Sequence, residues 1–139
     1  MGRELSRELL DRNQITKWNV KQQRGTQLLD AEGALSINGT KANPNLQVDL
    51  FGDWREEVIF RTDDHRHLRV YTTTMPTSHR LVTLMHDPVY RVAIAWQNTA
   101  YNQPPHPGYY IASDMDFPPP ALNIRVTPAA SSRRSVAVE

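Results

Sequence analysis

Four short runs rich in Val, Ile, Thr and aromatic residues, at residues 57–62, 67–74, 80–85 and 90–96, leave little choice of architecture for the middle of this chain. Side chains that branch at Cβ or carry a ring pack well on a pleated surface, so each run reads as a β-strand. Turn-forming residues separate them: Thr62, Asp63 and Asp64; then Met75, Pro76, Thr77 and Ser78; then His86, Asp87 and Pro88. Strands recurring at roughly 8 to 12 residues with such breaks predict an antiparallel, all-β architecture, and four of them would make one propeller blade. Upstream, residues 15–21 and 26–29 predict two weaker strands around a turn at 22–25, and residues 1–11 predict the start of a short helix. The Pro- and Ser-containing segment 118–139 has no periodicity and predicts a mobile end.

A blade buries its apolar faces only against neighbouring blades, so a few strands alone give a marginal core. The 139 residues suffice for one small domain or for part of a larger one. With 22% charged residues, 39% hydrophobic residues and a formal net charge of +1, the chain has neither the composition of a disordered polyelectrolyte nor the charge of a general nucleic-acid binder. It has no cysteine, which removes disulfides, thiolate metal sites and cysteine nucleophiles together. The first residues lack the apolar core of a signal peptide, and runs such as 92–96 are too short to span a bilayer, so neither nucleic acid nor membrane is expected as a partner.

The polar motifs carry two readings each. In VDLFGDWREEV, Asp49, Asp53 and Glu57 are spaced by four around Gly52, with Phe51 between them. Calcium takes six to eight hard oxygens, so a tight loop of carboxylates, backbone carbonyls and a turn glycine suits it. In that reading Phe51 gives only its carbonyl. The other reading is an acidic turn in which Asp53 caps and Glu56 or Glu57 pairs with Arg55 or Arg61. Further on, Asn98, Ala100 and Asn102 recur at a spacing of two, so an extended backbone points them to one side, as oxygen ligands or as partners for one another. Asn38 and Gly39 form the strongest short hairpin signal, with Thr40 and Lys41 following. Lys41 is placed to meet an acidic ligand or to remain a solvated charge. On an extended backbone His65 and His67 would share a face, but no third and fourth ligand follow at zinc spacing, and residues 63–67 read more economically as a solvated turn.

Taken together, SINGTKANPN (36–45), DLFGDWREEVIFRTDD (49–64), LRVYTTTMPTSHRLVTLMHDPVYRVAIAWQNTAYNQPP (68–105) and the following Gly108, Tyr109 and Tyr110 closely resemble the carboxyl-terminal part of the rhamnogalacturonan lyases of polysaccharide lyase family 11. The resemblance implies the terminal blades of an eight-bladed β-propeller, incomplete in this chain. It divides the chain into an amino-terminal extension (1–14), propeller blades (15–117) and the tail (118–139). It further implies a calcium-dependent enzyme, extracellular or periplasmic when complete, that cleaves the rhamnogalacturonan I backbone of pectin by β-elimination and leaves an unsaturated galacturonic acid. The partners implied are that pectic polysaccharide and the remaining blades of the same enzyme. The alternative is a non-catalytic, calcium-stabilised propeller remnant that binds pectin.

Carried over position by position, the resemblance places substrate contacts on Asn38, Gly39 and Thr40 and catalytic roles on Lys41 and Tyr101. Calcium ligands fall on Asp49, Phe51, Asp53 and Glu57 and on Asn98, Ala100 and Asn102. The chemistry asks for such groups. A proton alpha to a uronate carboxylate is hard to remove because the intermediate gathers more negative charge, which a bound cation spreads. One group must then take the C5 proton and another protonate the leaving oxygen, within hydrogen-bond reach. Lys41 and Tyr101 share those two roles, in an order the sequence leaves open.

Overall fold

The computed structural model describes residues 5–99 and 103–115. Two antiparallel sheets occupy its first half. The first joins β1 (Leu9–Asp11), β2 (Gln14–Asn19) and β3 (Arg24–Asp30) in that spatial order. The second is built on β6 (Glu57–Thr62): β7 (Leu68–Tyr71) pairs along one edge, while β5 (Leu46–Val48) and the two-residue β4 (Ala34–Leu35) follow one another along the other.

Alternation puts Val58, Phe60 and Thr62 of β6 on the buried face. Val58 and Phe60 meet Ala34 from the same sheet and Ile15 and Ala31 from the first, with Leu10, Leu29 and Tyr71 packed around them. Both sheets therefore close on one apolar seam. A bulge between Ile15 and Thr16 shifts the β2–β3 register, so that Ile15 faces Leu29 while Thr16 faces Gln27. In the same hairpin a Cβ on Gly25 would stand 2.5 Å from Thr16 Cγ2, a close approach only glycine permits.

The strands expected at 15–21, 26–29 and 57–62 are present in shifted or equal bounds, and that at 67–74 shrinks to Leu68–Tyr71. Three expectations fail. Within residues 1–11, Leu9–Asp11 is a strand rather than helix, because β2 offers it a free edge. Residues 80–85 join no sheet and run into a 3₁₀ turn at Leu84–His86, whose Leu84 N–H is given to the Asp49 carboxylate instead of a ladder. Residues 90–96 lie in a helix, α1 (Pro88–Trp96). Asp87 caps it by accepting from Val89 N–H at 3.0 Å, and Pro88 occupies the first turn where its missing N–H costs nothing. Tyr90, Ala93 and Gln97 are buried at spacings of three and four, the period of a helix face. The Val and Ile content at 92–94 had favoured a strand, and capping with burial overrides it.

The helix belongs to a second packed region, in which Leu5, Trp54, Leu84 and Tyr90 are buried with Leu81, Met85, Ile94, Tyr109, Ile111 and Met115 around them. Gln97, at its carboxyl end, meets β5 with both halves of its amide: Gln47 N–H donates to its Oε1 at 2.8 Å and its Nε2 donates to Gln47 O at 3.1 Å. The side chain thus substitutes for a neighbouring strand. Further along, a Cβ on Gly108 would lie 2.8 Å from Val89 Cγ2, and Gly108 N–H donates to Asp87, so the 103–115 segment closes onto the helix start. Among the described residues no helix is long and apolar enough to cross a membrane.

Candidate functional site

Asn38, Gly39, Thr40 and Lys41 sit in the connection from β4 to β5. The expected Asn-Gly hairpin does not form there, because β4 and β5 both take the same edge of β6 instead of pairing with each other. The result is a wider loop, closed by Ile37 N–H donating to Asn43 O at 2.9 Å and by Ser36 Oγ donating to Asn38 O at 2.8 Å. Gly39 is open on all sides, with nothing within 4 Å of where a Cβ would be. Lys41 is exposed and adopts φ 50°, a left-handed conformation uncommon for a residue other than glycine.

Asn45 ends this loop and joins it to two other elements. Its Oδ1 accepts from Arg61 N–H of β6 at 2.9 Å, and its carbonyl accepts from Asn98 Nδ2 at 2.6 Å. Asn98 is therefore brought against the loop that bears Asn38 and Lys41. It follows directly on α1, where the helix ends with Thr99 N–H and Oγ1 both donating to Trp96 O. The carboxyl end of a helix carries partial negative charge from its last carbonyls, which favours a cation nearby. Two side-chain oxygens are left over in this neighbourhood: Asn38 Oδ1 and Asn98 Oδ1 are buried and accept no hydrogen bond. A buried polar atom without a partner costs free energy, so both oxygens are suited to a ligand's donors or to a cation. Ala100, Tyr101 and Asn102 lie outside the described residues.

The acidic loop takes a different form. Asp49 is 1% exposed, and its Oδ2 collects three donors, Trp54 N–H at 3.2 Å, Leu84 N–H at 2.8 Å and Thr83 Oγ1 at 2.6 Å. Its Oδ1 is buried without a partner. Glu57, also 1% exposed, accepts from Leu50 and Phe51 N–H on Oε2 and from Thr72 Oγ1 on Oε1. Asp53 is turned to Arg55, accepting from its Nε at 3.0 Å and from its backbone N–H. Burial pushes the Asp53 carboxyl up, but the Arg55 hydrogen bonds and charge outweigh it and hold the group below the usual range.

The three carboxylates thus hold the 49–57 loop by backbone N–H groups, two threonine hydroxyls and one guanidinium. Among the described residues no three Asp, Glu or His side chains gather into a metal-binding set. Of the proposed ligands in this loop, Asp49 Oδ1 retains an unspent oxygen, Phe51 is exposed, and Asp53 and Glu57 are committed elsewhere. Gly52 at φ 74° and Trp54 at φ 69° show how tightly the loop turns, the latter a conformation that a bulky residue rarely adopts.

One participant was not apparent from sequence. Tyr90 reaches from α1 under the loop: Asp49 N–H donates to its hydroxyl at 2.9 Å, and the hydroxyl donates to Glu56 Oε1 at 2.7 Å. Gln47 Nε2 donates to the other Glu56 oxygen at 2.8 Å. Burial drives the Glu56 carboxyl up, against these hydrogen bonds, and burial followed by the Glu56 charge drives the Tyr90 hydroxyl far above its ordinary value. The Asp87-Pro88 pair, a helix start two residues before Tyr90, was the signal that could have located it.

Among the described residues the chain is therefore mostly sheet, as an all-β unit requires, with a nine-residue helix that holds its polar loops. Residues 2–121 match the family described as rhamnogalacturonan lyase family 11, C-terminal domain, and the chain belongs to that family. It is 59% identical over 112 residues to the rhamnogalacturonan endolyase YesW of Bacillus subtilis (strain 168), covering 81% of this chain and 18% of that protein. The rhamnogalacturonan exolyase YesX of the same organism is 55% identical over 130 residues, covering 87% of this chain and 21% of that protein. The solved structure of a Bacillus licheniformis rhamnogalacturonan lyase superposes with a TM-score of 0.79 at 57% identity, over 83% of this chain and 20% of that one. The chain spans about a fifth of the length of the curated relatives it matches.

Proposed function

We propose that this chain is the carboxyl-terminal part of a rhamnogalacturonan lyase, contributing terminal blades of an eight-bladed β-propeller to a cleft that cuts rhamnogalacturonan I by β-elimination. The carrying observation is the 59% identity to an endolyase. The two unspent amide oxygens, Asn38 Oδ1 and Asn98 Oδ1, support the placing of the site on these loops. In this reading residues 15–117 are the blades, 1–14 an extension and 118–139 a tail, and the complete enzyme works outside the cytoplasm.

Asn38, Gly39 and Thr40 hold the sugar chain, with Gly39 leaving room for close approach. Asn98, with Ala100 and Asn102, holds calcium near the end of α1, and Asp49 Oδ1 is the atom of the acidic loop that best fits a second ion. Bound calcium supplies positive charge that offsets the uronate carboxylate and the charge growing at C5. Lys41 and Tyr101 divide the remaining work: one accepts the C5 proton, the other donates to the departing rhamnosyl oxygen or neutralises the uronate.

In a complete enzyme carrying these residues, Lys41→Ala and Tyr101→Phe should each lower turnover by about 100-fold to 10,000-fold, with pectin binding and melting unchanged. Release of unsaturated uronate, followed by its ultraviolet absorbance, is the measurement, and near-full turnover by either variant removes that residue from the proton transfers. The purified 139-residue chain should show little or no activity in the same assay. The second reading, a non-catalytic pectin-binding remnant, would show as pectin binding with no lyase activity even when the remaining blades are supplied.

A further inference from the structure

The tip of the β6–β7 hairpin carries a group of cations that the reaction above does not use. Arg61 lies two residues beyond Ile59 on the face of β6 opposite Phe60. Its Nε is buried without a hydrogen-bond partner, and no ion pair engages its guanidinium among the described residues. Together with His65, Arg66, His67 and Leu68 it lines an open cleft of about 400 Å³. The nearby carboxylates are turned elsewhere. Asp64 accepts from Thr62 Oγ1 and from Arg66 N–H and stands 3.7 Å from His67 Nδ1, which holds it within the hairpin turn. Asp63 lies beside Gly33, whose carbonyl accepts its N–H at 3.1 Å.

A guanidinium stays charged at every physiological pH, and a partly buried one with no anion against it is unfavourable. Its flat set of donors matches a carboxylate, and Arg66 beside it adds a second positive charge. Position supplies the rest. The backbone N–H of Arg61 donates to Asn45 Oδ1, and Asn45 O accepts from Asn98, so the strand that carries Arg61 is tied to the end of the 36–45 loop and to Asn98.

We propose that the Arg61–Arg66 cleft is a second contact for an acidic sugar chain, binding a uronate carboxylate beyond the residues that surround the scissile bond. The proposal rests on the pectin-lyase reading for the identity of the anion, while the cleft itself stands on the geometry of Arg61 and its neighbours. It deepens that reading by giving the substrate a second point of attachment on the strand that Asn45 ties to the 36–45 loop.

The test titrates the 139-residue chain with trigalacturonate, neutral galactotriose and inorganic phosphate, following the arginine Nε–Hε signals by NMR, with the Arg61 signal assigned through its loss in Arg61→Lys. Trigalacturonate should shift the Arg61 signal, galactotriose should not, and added salt should weaken the effect. Arg61→Gln and the exposed Arg66→Gln should each weaken trigalacturonate binding tenfold or more while keeping the wild-type circular dichroism. Lys41→Ala should leave the Arg61 shift in place. A response to phosphate without one to trigalacturonate overturns the uronate assignment, and a silent Arg61 signal with all three overturns the site. Loss of the shift in Lys41→Ala overturns a separate contact. Failure of the lyase reading shows differently, as normal trigalacturonate binding here without β-elimination by a complete enzyme carrying these residues.

Discussion

The two packed regions of this molecule are held by different forces. Around Phe60, two sheets meet through Ile15, Ala31, Ala34 and Val58, and the backbone is satisfied by strand pairing. Around Tyr90, backbone pairs with backbone mainly within α1 and the 3₁₀ turn, and the N–H groups of Asp49, Leu50, Phe51, Trp54, Leu84 and Gly108 are taken by side-chain oxygens. In the first region, apolar volume and β-propensity decide the structure; in the second, a handful of buried acceptors fix an irregular chain. The candidate site lies where the two join, at Asn45 and Asn98, so its loops inherit their positions from both.

The sharpest test of that division is truncation. Phe60→Ala removes a fully buried ring from the seam between the sheets and should cost about 3–5 kcal/mol, measured by urea unfolding. A loss near zero would mean the sheets do not depend on each other. Tyr90→Phe keeps the ring and deletes only the hydroxyl that serves Asp49 N–H and Glu56. It should cost about 1–3 kcal/mol, since a buried donor is left unsatisfied. A neutral outcome would show that packing, not hydrogen bonding, holds this region too. Gly108→Ala drives a methyl into Val89 and should cost about 1–3 kcal/mol unless the 103–115 segment shifts, in which case amide exchange at the start of α1 should rise.

The smallest effect concerns pH. Because burial raises the Glu56 carboxyl in the folded state, its contribution to stability is complete below the ordinary glutamate range and is lost as pH rises through the raised value. Glu56→Gln should therefore melt slightly higher than the parent at neutral pH and lose the part of the stability gain that acidification brings. An unchanged pH profile would mean that the hydrogen bonds from Tyr90 and Gln47 cancel the burial.

The first region was legible because its physics is local in sequence. In β6, Val58, Phe60 and Thr62 alternate with residues of the other face, and this period of two identifies a strand before any partner is known. The second region was not, because its determinants are long-range. Nothing in the residues around Asp49 announces that Leu84 and Thr83, more than thirty positions on, will donate to its carboxylate. The acidic spacing that suggests a calcium cradle also suits a loop tied to its own carboxylates, and the fold adds the bonds that spacing cannot give, from Arg55 to Asp53 and from Leu50 and Phe51 N–H to Glu57. The helix at 88–96 was missed for another reason: its β-branched residues outweighed Asp87 and Pro88, a start signal whose value depends on Tyr90 and Gln97 having a surface to cover. Asn38, Lys41 and Asn98 entered as candidates through the family resemblance, whereas Asn45, whose amide and carbonyl tie their two loops together, was singled out by nothing in the sequence.

The amide of Gln97 gives the second sheet a direction of growth. Peptide groups along a strand edge are open valences, and a sheet extends wherever they stay open. At β5 that valence is filled by a side chain with a donor and an acceptor but no further backbone to pass the pattern on, so it acts as a chain terminator. At β7, among the described residues, no strand lies beyond the outer edge, and Leu68 and Val70 are exposed there. The sheet is stopped on one side and open on the other, a polarity imposed by one residue that belongs to neither strand.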